Sequence, residues 1–288
     1  MKIAIFLAGA LRFLDKCHTT FKNLFPGHEV DFFAHSWASN QYSEQQLIDM
    51  VEPKAWIYEK PKETFNIDYD KLNSKFIRRR DSIYINRAFS HYYSISQIAK
   101  FDIASYDYVL RIRSDQYFTS DLLHLFDYVG NKLLMNYSGV GFTADAQLKQ
   151  SHVRWQGIHG NNLDPCSINR QTTYIGDCCF FARPQVFLNF AIGILDFFQD
   201  SENNRAHEGF ASWQSENQVR EWLWYKDIPY RHVSFPYLLF RNHHRIFEPG
   251  DEYPSVTDPF VLQFIKNNPI NEVIHSTRNN PHLFGRAL

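Results

Sequence analysis

The residues best suited to do chemistry follow the apolar run from Tyr106 to Ile112 (YDYVLRI). They are Arg113, Ser114, Asp115 and Gln116, with Tyr117-Phe118 behind them. In open α/β sheets, ligands sit beyond the carboxyl ends of strands. A carboxylate just past an apolar strand, such as Asp115, can hold a divalent cation against a pyrophosphate, because hard cations take oxygen ligands. The plainer alternative is a strand-end turn in which Ser114 and Asp115 bond the backbone locally. Other reactive types are less well arranged. The four cysteines, Cys17, Cys166, Cys178 and Cys179, form no CxxC pair, and Cys178-Cys179 run into Phe180-Phe181. They read as buried small hydrophobes in a reducing compartment, not as a disulfide framework or a zinc site. Among the 13 histidines, His243 and His244 are adjacent, so their side chains diverge on any regular element. His152 and His159 fall in a loop-rich stretch with Arg154 and Trp155.

For Asp115 to stand at a strand end, the chain must build a sheet around it. Lys2 to Leu7 is a short apolar run ending at Gly9, and Leu11 to Leu24 carries apolar residues at helical spacing. That is the strand–turn–helix opening of an α/β fold. Val30 to Ala34 (VDFFA) reads as a second strand ending at His35-Ser36-Trp37. A helix opened by Ser43 then covers Glu44 to Val51, Pro53 stops it, and Ala55 to Tyr58 is a third strand. Residues 59–82, with Pro61 and Arg78-Arg79-Arg80-Asp81, form a long polar connection to a helix over Asn86 to Phe101. Further on, residues 145–172 hold Gly157, Gly160 and Pro165 and few apolar runs, which suggests a long loop region or lid. Tyr174 to Ala182 reads as a buried strand interrupted by Gly176-Asp177, and Pro184 starts a helix to about Phe198. Ser212 to Tyr225 is a further helix, Tyr230 to Phe240 holds one or two strands, and Glu272-Val273-Ile274 is a short strand candidate.

Composition narrows the classes. A chain of 288 residues has ample material for a core. With 30 Lys+Arg against 31 Asp+Glu, the formal net charge is −1. That balance lacks the cationic surplus of a non-specific nucleic-acid binder. Hydrophobic residues at 44% and charged residues at 21% are ordinary for a globular chain, so disorder is not expected. The aromatic share, 17%, is high, and some of those rings are candidates to line a site. No apolar run approaches the ~20 residues that span a bilayer. Ala8-Gly9-Ala10 mimics a signal-peptide cleavage site, but Ile3 to Leu7 is shorter than the roughly 7–15 apolar residues such a peptide needs. The expectation is a first buried strand and a cytoplasmic protein.

VLRIRSDQYF resembles the DxD region of GT-A glycosyltransferases, and IFLAGALRFL their opening nucleotide-binding strand. VDFFAHSW is similar to the "DvFvHtW" stretch of capsule and lipopolysaccharide glycosyltransferases, including the WavE-like group. NRAFSHYYSISQIAKF with YDYVLRIRSD resembles that group's helix-to-strand segment, and YIGDCCFFARPQVF its later strand. The likeness covers roughly residues 1–240 and rests on the order of these motifs. It implies a GT-A-like α/β fold in one compact unit over residues 1–288. Residues 1–130 would form a Rossmann-like half for the nucleotide sugar, and residues 131–288 a looser acceptor half. The implied activity is transfer of a sugar, hexosyl or pentosyl, from a nucleotide-sugar donor (a UDP-sugar first) to a glycan acceptor in polysaccharide biosynthesis. Rival readings are a non-catalytic carbohydrate-binding protein and a nucleotidyl- or sugar-phosphate transferase.

The same resemblance implies the site. Leu7, Ala8, Gly9 and Arg12 border the nucleotide, through backbone groups after the first strand and through Arg12 on a phosphate. Arg80 could serve the pyrophosphate, although three consecutive arginines also make a solvated face. The triplet aligned with DxD is Arg113-Ser114-Asp115, which keeps one acid of two. Either Arg113 neutralises phosphate in place of a cation, or Asp115 holds Mn²⁺ or Mg²⁺ with water and phosphate oxygens. His275 is the candidate late metal or phosphate ligand. An inverting transfer needs a group to deprotonate the acceptor hydroxyl, and Asp177 and Glu216 are the candidates. Asp177 interrupts an apolar strand, where a carboxylate without purpose is costly, and is ranked first for acceptor contact. Glu216 stands in the first turn of a helix, where the dipole favours an acid anyway. Asn86 is a helix cap or a ligand. Trp155, Trp213, Trp222 and Trp224 are candidate acceptor platforms, but Trp222 and Trp224 are two apart on a helix, so at least one belongs to the core.

Overall fold

The structure, a computed structural model, describes residues 1–63, 65, 67–70, 82–118, 120–137, 175–200, 215–233, 235, 237–242 and 272–274. Strand β1 (Lys2–Ala10) is buried on both faces, which is why it reads as a nearly continuous apolar run. Ala4, Phe6 and Ala8 pack to one side of the sheet, and Ile3, Ile5 and Leu7 to the other. β2 (Glu29–Trp37) and β4 (Tyr108–Ile112) flank β1, both parallel to it. β3 (Ala55–Glu59) extends the parallel ladder beyond β2. On the far side of β4, β7 (Ile175–Ala182) pairs antiparallel, followed by β6 (Leu133–Tyr137) and β8 (Tyr230–Val233), which are parallel to each other. The order is β3-β2-β1-β4-β7-β6-β8, and β7 is the one strand of the seven running against the rest. β5 (Gln116–Phe118) leaves this sheet for a second one, in which it and β10 (Glu272–Ile274) flank β9 (Tyr237–Asn242).

Helices cover both faces. On one, Ile85, Phe89 and Tyr92 of the Ser82–Ser96 helix pack with Phe187, Phe190, Phe197 and Trp222 against Phe6, Val109 and Phe180. On the other, Leu14, Phe21, Leu47 and Leu125 pack against Ile5, Leu110 and Phe181. The molecule is therefore of the mixed α/β class. The sheet takes strands from both sides of residue 130, so its core is common to the two expected halves.

Several elements differ from expectation, each for an identifiable reason. β1 and β2 each run three residues further, to Ala10 and Trp37, because the two pair along their full length. The helix expected from Leu11 to Leu24 is a single α-turn, Leu14–Cys17, continued as a 3₁₀ segment, His18–Asn23. There the Thr20 hydroxyl donates to Cys17 O (2.8 Å), the local competition that makes threonine a poor helix former. The helix after Pro184 breaks into Pro184–Ala191 and Ile194–Gln199 at Gly193, whose φ of 86° only glycine adopts freely. β7 passes through Gly176-Asp177 unbroken, and the irregularity falls in its ladder with β6, between Met135 and Tyr137. Asn86 sits in the second turn of a helix that begins at Ser82, and its Oδ1 accepts from the Tyr69 hydroxyl (2.7 Å), so it caps nothing.

Candidate functional site

The strand order places the carboxyl ends of β1 and β4 side by side. From β1 the chain turns towards β2, and from β4 it moves the opposite way along the sheet. This is a topological switch point, the kind of position at which open α/β sheets receive ligands in a crevice. One side chain bolts the two loops together: Ser114 Oγ donates to Ala10 O (3.0 Å) and accepts from Arg12 N (2.8 Å). Beside it, Arg113 grips Asp115 side-on, Nε to Oδ1 at 2.8 Å and Nη2 to Oδ2 at 2.6 Å. The Asp115 side chain is 2% exposed and that of Arg113 18%. Gln116 closes the turn, since its Oε1 accepts from Arg113 N (2.7 Å) and its Nε2 approaches Cys179 Sγ (3.0 Å).

Beneath this turn lies a second guanidinium that sequence reasoning missed. Arg111 of β4 is fully buried and donates to Cys178 O (3.0 Å) and Ala8 O (3.3 Å), with the His91 ring at 3.3 Å. It straps β1 and β7 to β4, and its carbonyl acceptors offset the cost of burying a cation. The signal was present: an arginine inside YVLRI has no apolar reason to be there.

The loop after β1 fits the nucleotide expectation through backbone only. Leu7 and Ala8 are each 2% exposed, with side chains in the two cores. Gly9 has φ 121° and open space where a Cβ would project. Arg12 is exposed, and Phe13 follows it in the left-handed region at φ 50°, a strained conformation of a kind that concentrates at functional sites. The antiparallel register of β7, Arg111 opposite Phe180, carries the backbone of Asp177 towards the carboxyl end of β4. The Ser215–Tyr225 helix is joined to β8 by residues 226–229 alone, so it runs back along the sheet and Glu216 stands at that same edge. Arg80 and His275 lie outside the described residues.

A second group missed in the sequence stands at the carboxyl ends of β2 and β3. His35, fully buried, donates from Nε2 to Glu59 Oε1 (2.9 Å). Trp37 stacks on Tyr93 at 5.3 Å, and Lys62 stands 4.0 Å from that ring's centroid. Burial pushes the His35 imidazole below its ordinary value despite Glu59, so it is neutral at pH 7. Burial acts upward on Glu59, but hydrogen bonds from His35 and Tyr93 outweigh it and hold the carboxyl low. Burial, with Glu59 beside it, raises the Tyr93 phenol to about 12.

Of the candidate platforms, Trp222 is core: it is 3% exposed and donates Nε1–H to Phe190 O (2.7 Å). Trp224 packs partly buried against the same core, and Trp155 and Trp213 lie outside the described residues. Cys17, Cys178 and Cys179 are buried. A divalent cation would need several oxygen ligands, whereas Asp115 is one buried carboxylate whose oxygens each already accept an N–H from Arg113. Among the described residues, no group of three or more His, Cys, Asp or Glu gathers to hold a metal. The side chains described around Asp115 therefore do not fit a divalent cation. No helix among those residues is long and apolar enough to cross a membrane.

No protein-family model matches the chain, and a search of the curated proteins found no match either.

Proposed function

We propose that this protein is a GT-A-like glycosyltransferase that moves a sugar from a nucleotide-sugar donor to a glycan acceptor. The observation that carries the reading is the switch point between the carboxyl ends of β1 and β4, where a crevice is expected. It is bolted by Ser114 and bordered by Gly9, Arg12 and the Arg113–Asp115 pair. Such a crevice offers backbone groups to a nucleoside and guanidinium N–H groups to a diphosphate. The order of the motifs along the chain supports the same reading, with residues 1–130 serving the donor and residues 131–288 the acceptor.

In the transfer, the acceptor hydroxyl oxygen bonds to the anomeric carbon. The bond from that carbon to the diphosphate breaks, and the diphosphate leaves with the electron pair. Guanidinium groups at the crevice stabilise the charge that gathers on the leaving oxygens. In an inverting course, the hydroxyl proton passes to a carboxylate, and Asp177 and Glu216 are the two put forward for that role.

The test is a thermal-shift panel of UDP-, GDP-, CMP- and dTDP-sugars, with and without Mn²⁺, followed by an assay for released nucleotide. Stabilisation by one nucleotide sugar with slow nucleotide release is expected. Stabilisation by glycans alone would instead mark a carbohydrate-binding protein.

A further inference from the structure

Asp115 is built as the anchor of Arg113, and this has a consequence for how a diphosphate is met. The carboxylate accepts one N–H on each oxygen from one guanidinium, the paired geometry that suits these groups best. It lies almost wholly buried, beside the less buried Arg113. A cation reaching Asp115 would have to share a buried carboxylate with a guanidinium, and would stand beside Arg113, a charge of the same sign. The side-on grip uses Nε and Nη2 of Arg113 and turns the Nη1 edge away from the carboxylate, towards Cys178 (Nη1 to Sγ 3.9 Å). Gln116 fixes the backbone of the same residue. The guanidinium is thereby held in one orientation just past the carboxyl end of β4. Arg111, Arg113 and Asp115 together carry one net positive charge, the sign that a diphosphate calls for and a metal does not.

We propose that Arg113, oriented by Asp115, neutralises the donor's diphosphate directly, and that donor binding needs no divalent cation. This deepens the glycosyltransferase reading and rests on it. Asp115 is then a positioning residue and not a metal ligand. The pair is preorganised, so no side chain must be reordered when the diphosphate arrives.

The experiment is calorimetric titration of the full chain with UDP, GDP, dTDP and CMP in EDTA and in Mn²⁺, and of Mn²⁺ alone. One nucleoside diphosphate is expected to bind with the same affinity, within twofold, in EDTA and in Mn²⁺. Arg113→Met is expected to weaken that diphosphate at least tenfold and leave the corresponding nucleoside unchanged, a selectivity that a general loss of structure would not produce. Asp115→Asn should weaken the diphosphate about tenfold, equally in EDTA and Mn²⁺. Asp115→Glu should restore part of the loss. Binding only in Mn²⁺, or a Mn²⁺ site abolished by Asp115→Asn, overturns the proposal and leaves the glycosyltransferase reading standing. No nucleotide binding in either condition overturns both.

Discussion

Ser114 shows how much one hydroxyl does at this site, since it donates to a carbonyl of one loop and accepts an amide of the same loop from across the crevice. Ser114→Ala leaves both backbone groups without that partner, at a cost of about 1–3 kcal/mol. Urea denaturation should read that loss, and nucleotide affinity should fall with it because the Arg12 loop is released. The two carboxylates put forward as base separate by kinetics. Removing the true base should lower turnover by roughly 10²–10⁴-fold with donor binding intact, whereas Asn or Gln at the other position should cost far less. The His35–Glu59 pair makes a pH prediction. The folded-state His35 pKa lies below its ordinary 6.5, so the unfolded chain takes up the proton first as pH falls. Glu59, also held low, keeps its contribution above its ordinary 4.5 and loses it as pH falls further. Stability should thus decline as pH drops below about 6.5. His35→Gln should flatten the upper part of that slope in denaturation curves taken from pH 8 to pH 5. An unchanged slope would contradict the neutral, buried assignment.

At the scale of elements, legibility followed burial. The centre of β1 and the core of β4 were readable because strands covered on both faces must be apolar throughout. The helix over Glu44 to Val51 was readable because Ser43 and Gln46 form a reciprocal capping box. Ser43→Ala should lower stability by about 1 kcal/mol, measurable by thermal or urea unfolding. The break at Gly193 was not legible, because apolar spacing continues across it from Pro184 to Phe198. Its cause is tertiary: a Cβ there would meet the Trp222 ring at 3.3 Å, at a φ that disfavours side chains. Gly193→Ala should destabilise by roughly 1–3 kcal/mol in the same measurement. The site was legible in part. Asp115 and Gly9 announced themselves by position, one just past an apolar strand and one at a turn. Arg111 stood out as a charge inside an apolar strand, but its role, like those of His35 and Glu59, depends on partners 20 to 103 residues distant.

For the whole molecule, the sheet order is the functional statement. Reversal of direction at β1 and β4 sets the crevice, and β5 leaves the sheet immediately after Asp115 to pair with β9. The strap from Arg111 to Ala8 and Cys178 ties three adjacent strands at that mouth. Its rigidity lets the Arg113–Asp115 pair keep one orientation. The most direct measurement is hydrogen–deuterium exchange of the full chain with and without the stabilising nucleotide sugar. New protection is expected to concentrate in residues 8–13 and 111–117, at the carboxyl ends of β1 and β4. Binding that protects other segments and leaves these two unchanged would contradict this placement of the site.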